Sequence, residues 1–564
     1  MSEYIGICNF SAPVASVFDN SFLDDFALEG YKKISTHSIS PSIILAISEN
    51  SIGKLDYFEN DQVVLALKGH LWHNDDYSTI CTPNALATAF ASGGSSFIEN
   101  YTGNFALMAY DKKEEKLFLF TDQLKSIPLF VYRTKQGLIF ATEYESLRKM
   151  AIVDFEVDLK SLSDFMVYGT TLGEETLIKG LTSIAPSSYW VIDHNQTKQV
   201  TYSNTITKKP YTVEEAAAQI ASNFKELLHS YIAYYGNALQ FTLSGGMDSG
   251  LVFSAIPDEY KPRVSCLTFY TQNLSAEEDR DVLVARAIQE KYGFEHHVEE
   301  IDFFSTIYSP AYLVGNRRFK RKGKILVTGT FGGEFYAYDF NKFLDPSYIA
   351  IDKKNKGFWE KLFSQPDPAL KQVFSPALVK QLAASGGVGA NRSTGTLLER
   401  SITDYSAGFF SNIYNGSGGG WLNPYRHQSD SLNPFIFPEN LKILFSLSPS
   451  LFEGTTFPVH HILYKHHLMA LNGVPVNSPY GKTVGSVRPM IEAGSEPKSF
   501  RHALDISILT PTFHNFISKY GHLFNPTYMA RARELFAEKP LAVSRMLDFE
   551  NWAACYDVKL PGFK

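Results

Sequence analysis

A glycine turn between an apolar strand and a helical segment constrains the fold of this chain more than any other feature. Residues Leu239–Leu243 have the length and apolar character of a short buried strand, and the sequence SGGMDS, Ser244–Ser249, follows directly. A helical segment and a second apolar strand, Val264–Tyr270, come next. Strands that alternate with helices predict a parallel α/β sheet in this part of the chain.

The same turn has the chemistry of an anion site. Gly245 and Gly246 allow a tight turn whose backbone N–H groups are presented without a Cβ in the way. The N-terminus of the next helix adds partial positive charge, and the hydroxyls of Ser244 and Ser249 add donors, so the turn suits pyrophosphate. Since a carboxylate repels phosphate, the sensible role of Asp248 is to hold Mg²⁺. A structural glycine turn with a capping aspartate is the alternative, and the complete SGGxDS pattern favours the binding site.

The first 205 residues predict a separate, β-rich domain of packed antiparallel sheets. The polar stretch Asn204–Pro210 is the predicted linker, and residues 211–564 form the predicted second domain. That domain begins with a helix from Thr212 to about Tyr235, where Thr212 and Glu215 predict an N-terminal capping box. The apolar runs that predict the strands are Ile43–Leu45, Val63–Leu67, Phe105–Met108, Leu117–Phe120, Leu129–Tyr132 and Leu138–Phe140.

The composition excludes several classes of protein. The net charge is −7 and no basic tail is present, so neither nucleic acid nor an anionic membrane surface is an expected partner. No run of about 18 apolar residues predicts a membrane span, and the N-terminus lacks the pattern of a secretory signal. The four cysteines are far apart in sequence, which argues against a disulfide framework or a zinc site and favours a reducing, cytoplasmic location.

The SGGMDS turn matches the pyrophosphate loop of the N-type ATP pyrophosphatases, and more of the chain resembles the asparagine synthetases. Residues 98–149 resemble the N-terminal domain of that family in the patterns GxFAxxxYD, LFLxxD, PLFxY and FATE. Residues 241–302 and 433–447 resemble its synthetase domain. The resemblance implies an Ntn-type, glutaminase-like β-sandwich, followed by a parallel α/β ATP-pyrophosphatase domain with a helical extension.

The resemblance also implies a set of site residues, with ATP and Mg²⁺ as cofactors. Asp248 and Glu334 would bind the metal, and Lys482 stands where the family carries its late active-site lysine. Glu334 and Lys482 are therefore the predicted catalytic residues. Other residues at family positions are Glu278, Asp279 and the pair His296-His297. The residues implied to bind ATP or its pyrophosphate are Leu243, Ser244, Gly245, Gly246, Asp248, Ser249, Thr268 and Gly329.

Two departures from the family concern glutamine. A glutamine-dependent asparagine synthetase begins Met-Cys-Gly and uses that cysteine as the nucleophile, whereas Ser2 follows Met1 here and Cys8 has the setting of a core-strand cysteine. The glutamine-binding sequence NGEIYN is replaced by KGHLWH, with Lys68 and His70 in place of Asn and Glu. We therefore expect that the N-terminal domain has lost glutaminase activity and serves as a scaffold or as a platform for a partner.

Without ammonia from glutamine, the attacking amine must arrive on a substrate, as in the β-lactam synthetases and the lasso-peptide cyclases. The chain length, the altered glutamine motif and a helix-rich extension from about Phe500 to Leu560 are more similar to the cyclases. This resemblance implies a ligase that closes the macrolactam ring of a lasso peptide through an acyl-adenylate. A precursor core peptide is then the expected substrate, and a leader-peptide-binding protein and a protease are the expected partners.

A further departure leaves the second metal ligand open. The family sequence GxGGDE is replaced by GTFGGE, Gly329–Glu334. Either Gly333 replaces the aspartate, or a one-residue insertion places Glu334 in the metal position. The alternative functions are an ammonia-dependent asparagine synthetase, a β-lactam synthetase, and a catalytically silent scaffold or binding protein. The Gly/Ser-rich segments 385–389 and 416–420 predict either a mobile lid or ordinary surface loops.

Overall fold

A computed structural model gives the architecture of the chain. Glu334, Lys482 and the Gly/Ser-rich segments at 385–389 and 416–420 lie outside the residues that the structure describes. The described residues are 3–9, 34–48, 56–135, 137–142, 147, 156–168, 171, 174–202, 211–271, 275–301, 324–329, 371–384, 431–446, 506–538, 546, 547, 549, 550, 553, 554 and 559.

The N-terminal region forms two six-stranded antiparallel sheets in its described part. The strand order is β10-β8-β9-β1-β3-β2 in the first sheet and β12-β11-β7-β6-β5-β4 in the second. All six apolar runs that predict strands overlap β3 or β5 to β9, so the prediction of antiparallel sheets is confirmed. The elements are β1 (Glu3–Cys8), β2 (Ile34–Ser40), β3 (Ile43–Ser48), β4 (Tyr57–Glu59), β5 (Val63–His73), α1 (Pro83–Gly93), β6 (Tyr101–Asp111), β7 (Lys116–Thr121), β8 (Phe130–Thr134), β9 (Gly137–Ala141), α2 (Leu159–Tyr168), β10 (Leu181–Ser183), β11 (Ser188–Ile192) and β12 (Thr197–Thr201).

The second region contains a five-stranded sheet whose pairings are all parallel. Its strand order is β15-β14-β13-β16-β17, so the predicted parallel α/β sheet is confirmed. The first helix begins at Val213, and Thr212 and Glu215 form the predicted capping box. The elements are α3 (Val213–Tyr235), β13 (Leu239–Thr242), α4 (Met247–Ala255), β14 (Ser265–Thr271), α5 (Arg280–Tyr292), β15 (Glu295–Ile301), β16 (Ile325–Val327), α6 (Pro376–Ala384), β17 (Ser431–Leu432), α7 (Pro438–Ser446), α8 (Ile506–Tyr520) and α9 (Pro526–Glu538).

The two antiparallel sheets pack face to face around a shared apolar core that includes Leu45, Met108 and Cys8. The position of Cys8 in that core is the one expected, and burial raises the pKa of its thiol to about 12. Helix α1 covers the outer face of the second sheet through Leu86 and Phe90. Helix α2 covers the outer face of the first sheet. The resulting helix–sheet–sheet–helix sandwich fits the expected glutaminase-like, Ntn-type domain.

Helices from the end of the chain also pack on the first sheet. Phe513 and Phe516 of α8 and Phe536 of α9 share one apolar cluster with Ile5 and Ile139 of the first sheet. The division into residues 1–205 and 211–564 stays a prediction, and the C-terminal helices lie against the region that comes first in the sequence. Among the described helices, none has both the length and the apolar composition that crossing a bilayer requires.

The antiparallel and parallel regions meet around the fully buried indole of Trp72 on β5. Its Nε1–H donates to the hydroxyl of Ser230 on α3 at 3.1 Å. The ring makes edge contacts with Tyr231, at 5.7 Å between centroids, and with Phe437, at 5.5 Å. Edge-to-face aromatic pairs add to the free energy gained from buried area, so this cluster joins the two regions firmly.

A buried charge lies in the turn after β7. The carboxylate of Asp122 accepts backbone hydrogen bonds from Phe105, Leu124 and Ser126 and so holds the turn closed. Lys125 follows in this turn with its side chain buried and a left-handed φ of 51°. Burial lowers the pKa of Lys125 to about 8, although Glu174 opposes the shift. Keeping an ammonium group out of water therefore destabilises the folded protein.

Replacing this lysine should stabilise the protein at neutral pH. Lys125→Met should raise the free energy of unfolding at pH 7, by up to about 3 kcal/mol, because the lowered pKa measures the cost of the buried charge. The folded state releases its proton before the unfolded state, so the gain should shrink as the pH rises from 8 towards 10.5. Urea unfolding of both proteins at pH 7 and pH 10 measures it.

The exposed Lys113 supplies the matched control. Lys113→Met should change the free energy of unfolding by only a few tenths of a kcal/mol at either pH. A Lys125→Met protein that is less stable than wild type at pH 7 would contradict the assignment of a costly buried ammonium.

Candidate functional site

The SGGMDS turn lies at the point where the order of the parallel sheet reverses. From β13 the chain adds β14 and β15 on one side, and β16 and β17 lie on the other. Ser244, Gly245 and Gly246 connect the carboxyl end of β13 to α4. In open α/β sheets, ligands bind in the crevice beyond the carboxyl ends of the strands at such a reversal. The topology therefore places the turn where a ligand site is expected.

Internal hydrogen bonds give the turn a defined shape. The hydroxyl of Ser249 accepts the N–H of Ser244 at 3.0 Å and lies 2.9 Å from the Ser244 hydroxyl. The Ser244 hydroxyl in turn accepts the N–H of Gly246 at 3.1 Å. Helix α4 starts with glycine as its N-cap residue, so no N-cap side chain competes with a ligand for the N–H groups of its first turn. Both serines therefore shape the turn itself.

The strand beside β13 also approaches this turn closely. Gly329 follows β16, and a Cβ at this position would lie 2.6 Å from the backbone nitrogen of Ser249 and 2.8 Å from the carbonyl carbon of Asp248. Real Cβ atoms do not approach backbone so closely, so the position requires glycine. The structure thus brings Gly329 to the start of α4, beside the residues of the turn.

The strand on the other side reaches the turn through Thr268. Its hydroxyl donates to the carbonyl oxygen of Leu243 at 2.7 Å and lies 2.8 Å from Nε2 of His296 on β15. A hydroxyl has one proton to donate, so Nε2 of His296 is the donor in the second bond. Burial, with smaller contributions from Arg286 and His297, lowers the pKa of His296 to about 4. A neutral His296 thus supports Thr268, which supports the end of β13.

An acidic side chain that the sequence did not single out contacts the turn. Asp281 lies in the first turn of α5, and its Oδ1 accepts the N–H of Gly245 at 2.9 Å. Of the two acids that the family position suggested, Asp279 instead caps α5 by accepting the N–H groups of Asp281 and Val282. Glu278 is exposed and accepts a hydrogen bond from the Ser275 hydroxyl.

The eight predicted nucleotide-binding residues thus lie around one turn, and their roles stay predictions. Glu334 and Lys482, the other predicted catalytic residues, lie outside the described part of the chain. Within that part, the structure shows no group of three or more histidine, cysteine, aspartate or glutamate side chains that could hold a metal ion. The proposed metal position is therefore carried by Asp248 and by the sequence motif.

Lys68 and His70, which replace the Asn and Glu of the glutamine motif, are buried at the junction of the two regions. Lys68 and His70 are 5% and 4% exposed. Nε2 of His70 is hydrogen-bonded to the hydroxyl of Tyr235, and its ring is edge-on to Tyr231 and Tyr234 of α3. Burial raises the pKa of Tyr234 to about 12. At this position a helix of the second region therefore contacts β5.

The chain is similar to glutamine amidotransferases and to asparagine synthetases. A family model described as a glutamine amidotransferase domain matches residues 65–203. Asparagine synthetase [glutamine-hydrolyzing] 2 of Bacillus subtilis (strain 168) is 28% identical over 98 residues, which are 16% of this chain and 13% of that protein. Asparagine synthetase [glutamine-hydrolyzing] 3 of the same organism is 20% identical over 265 residues, 43% of each protein. The chain spans less than half the length of these curated relatives.

Solved structures of an allosteric regulatory enzyme of purine biosynthesis and of a glutamine phosphoribosylpyrophosphate amidotransferase from B. subtilis are also similar. Each is 11% identical, with a TM-score of 0.24, over 53% of this chain and 80% or 81% of the other. At this TM-score the likeness carries no argument. The sequence matches show that parts of this chain are similar to a glutamine amidotransferase domain and to asparagine synthetases.

The pKa of His296 predicts how the stability of the protein depends on pH. As the pH falls, the unfolded state takes up the proton near pH 6.5 and the folded state only near pH 4, so this histidine makes folding less favourable over that interval. His296→Gln keeps an N–H donor near the position of Nε2 and does not titrate. It should therefore lose less stability than wild type between pH 7 and pH 4.5 in urea unfolding.

The neighbouring His297 is the matched control, since its Nε2 pairs with Glu295 at 3.0 Å and its side chain is partly exposed. His297→Gln should follow the pH dependence of the wild type more closely than His296→Gln does. Equal pH dependence in wild type and His296→Gln would show that burial does not keep this imidazole neutral.

Proposed function

We propose that this protein is an ATP-dependent amide-bond synthetase that forms AMP and pyrophosphate. The observation that carries the proposal is the Ser244–Ser249 turn at the reversal point of the parallel sheet, with Gly329 packed against the start of α4. The similarity to asparagine synthetases supports the reaction class. More specifically, we propose that the substrate carboxylate and the attacking amine belong to one molecule, so that the product is a ring.

In the first step, an oxygen of the substrate carboxylate attacks the α-phosphorus of ATP, and pyrophosphate leaves. The N–H groups at the start of α4 would bind the phosphates, because a helix N-terminus combines unpaired donors with partial positive charge. Asp248 and Glu334 are the proposed ligands of Mg²⁺, which would neutralise phosphate charge when bound. Thr268 and Leu243 would form the side of the site on which the adenine lies.

In the second step, the amine attacks the carbonyl carbon of the acyl-adenylate, AMP leaves and the amine gives up a proton. We propose that the ammonium of Lys482 stabilises the negative charge that develops on the carbonyl oxygen. Holding the amine and the carbonyl together in one molecule can lower the barrier by about 7 kcal/mol or more, since the entropy of bringing two reactants together is already paid.

The amine is proposed to arrive with the substrate because the glutamine motif no longer has the groups that bind glutamine. Lys68 and His70 stand in that motif, and His70 is bonded to Tyr235 of α3. A side chain that packs against another part of the same chain is not presented to a small ligand. The N-terminal domain then supports the second region and supplies no ammonia.

A lasso peptide is the proposed ring-forming substrate. Its precursor core peptide would supply the α-amine and an Asp or Glu side chain, with a leader-peptide-binding protein and a protease as partners. The altered glutamine motif and the helices α8 and α9 support this choice. Cell fractionation of the native protein would test the proposed cytoplasmic location.

The similarity to asparagine synthetases favours one further candidate, a ligase that joins free ammonia to aspartate. Incubation with ATP and either aspartate plus ammonium chloride, a β-amino acid, or a linear peptide with a free α-amine and an internal Asp or Glu distinguishes the candidates. A peptide that loses one water by mass supports the cyclase. Formation of asparagine supports the ammonia-dependent asparagine synthetase, and formation of a β-lactam supports the β-lactam synthetase. If no substrate causes release of pyrophosphate, the result supports a catalytically silent scaffold.

The metal carboxylate should be required for adenylation. Asp248→Asn should lower pyrophosphate release by about 100-fold or more, because metal charge stabilisation is worth several kcal/mol and each 1.36 kcal/mol is a factor of ten. The exposed acid Glu259 supplies the control, and Glu259→Gln should keep the wild-type rate. Near-normal turnover of Asp248→Asn, with an unchanged circular dichroism spectrum, would remove the support for this assignment.

Glutamine should not serve as the nitrogen donor. The purified protein with glutamine, ATP and Mg²⁺ should release glutamate no faster than a sample without protein, because Lys68 and His70 replace the residues of the glutamine motif. A glutamine-dependent asparagine synthetase assayed in parallel confirms that the conditions support hydrolysis. Glutamate release in proportion to the concentration of this protein would refute the claim.

A further inference from the structure

We propose that Asp281 is a positioning residue that holds the Ser244–Ser249 turn in the conformation that binds nucleotide. The inference rests on the proposed function, since it assigns the turn to ATP. The observation is the 2.9 Å bond in which the N–H of Gly245 donates to Oδ1 of Asp281, across 36 residues of sequence.

Two side chains near the start of α5 lie beside Gly245. A Cβ on Gly245 would lie 2.9 Å from Oδ1 of Asp281 and 3.3 Å from Cγ2 of Val284. Both neighbours come from α5, and Val284 is buried in the apolar core of the parallel region. Gly245 is thus held against a helix that the core itself fixes in place.

Hydrogen bonds within and beside the turn orient its N–H groups. The N–H of Gly245 is directed to Asp281, while the N–H groups of Ser244 and Gly246 are directed to the two serine hydroxyls. Each of these bonds fixes one peptide plane. The proposed phosphate donors are the next ones along the chain, at the start of α4. Without Asp281, the peptide before Gly245 would be held less firmly, since its Ser244 carbonyl keeps a long, 3.5 Å contact with the Ser249 hydroxyl, and binding of ATP would then have to order it.

Asp281 is itself held in place by the cap at the start of α5. The Asp279 carboxylate accepts the N–H groups of Asp281 at 2.8 Å and Val282 at 3.2 Å, so the start of α5 is capped. Burial raises the pKa of Asp279, although these two bonds oppose the shift. Asp279 therefore acts on the turn indirectly, by fixing the helix that carries Asp281.

The role proposed for Asp281 is that of a hydrogen-bond acceptor, and this distinguishes it from a metal ligand. Asn retains a carbonyl oxygen at the position of Oδ1 but carries no charge. Asp281→Asn should therefore bind ATP within about threefold of wild type, whereas Asp281→Ala should bind on the order of tenfold more weakly, the usual effect of losing one hydrogen bond to a charged group. At saturating ATP, pyrophosphate release should fall less than ATP affinity does.

The exposed Glu259 is the matched control, because Glu259→Ala also removes one carboxylate and lies outside the Ser244–Ser249 turn and outside α5. Isothermal titration of Mg²⁺·ATP into wild type, Asp281→Ala, Asp281→Asn and Glu259→Ala gives the affinities. Hydrogen–deuterium exchange of the peptide that covers residues 243–249, without nucleotide, gives the order of the turn. We expect faster exchange only in Asp281→Ala.

Each outcome decides the proposal. Weak binding by Asp281→Ala, with near-normal binding and exchange in Asp281→Asn, supports it. Equal weakening in both Asp281 variants would show that the charge matters and overturn the acceptor role. Wild-type or tighter binding by Asp281→Ala would overturn positioning altogether. If wild type binds no ATP, the proposed function fails, and unchanged exchange in Asp281→Ala would separately overturn the positioning contact.

Discussion

The burial of Trp72 is the interaction on which the arrangement of the two regions depends. Its indole belongs to the antiparallel region by sequence, yet it lies in the apolar core of the parallel region, together with Leu124 and Ile80. Completely burying a large aromatic side chain contributes about 2–3 kcal/mol, and the bond from Nε1–H to Ser230 satisfies the polar edge of the ring. The parallel region would expose this part of its core if the sandwich were absent. That dependence is a physical reason for the chain to keep a glutaminase-like domain under the proposal that this domain supplies no ammonia.

The same junction around Trp72 connects the sandwich to the candidate site through one helix, α3. Trp72 and His70 contact α3 on one side, while Ala216, Ile220 and Phe224 of this helix belong to the core around β13. The turn that follows β13 is then fixed from three further directions: by Thr268 on one neighbouring strand, by Gly329 on the other, and by Asp281 from α5. A binding site that is ordered before its ligand arrives loses less entropy on binding, so these contacts would favour affinity for the proposed nucleotide.

What the sequence predicts well is set by local rules. Short apolar runs predicted six strands, Thr212 and Glu215 predicted the start of α3, and two glycines predicted the turn, because each signal lies within a few residues of the structure it determines. The contacts between His70 and Tyr235, 165 residues apart, and between Gly245 and Asp281, 36 residues apart, have no local signal. Asp281 was missed because the family pattern directed attention to Glu278 and Asp279, which lie three and two positions earlier in the sequence. The packing of α8 and α9 on the first sheet was missed for a similar reason, since their aromatic faces predict burial but do not identify what covers them.

The electrostatics of the turn explain why glycines and hydroxyls form most of the candidate site. The proposed triphosphate ligand would bring several negative charges to a turn that already has Asp248 within it and Asp281 beside it. Two unit charges 4 Å apart interact with about 4 kcal/mol at the effective dielectric constant of a protein surface, so uncompensated carboxylates would oppose binding. The bond to the N–H of Gly245 offsets part of the charge on Asp281 with a fixed dipole, and it directs that oxygen into the turn. Under the proposed function, Asp248 would be the carboxylate that binds the cation, and the first-turn N–H groups of α4 would bind the anion. The turn would then favour a metal–nucleotide complex over the free nucleotide, which is the selectivity that adenylate formation requires.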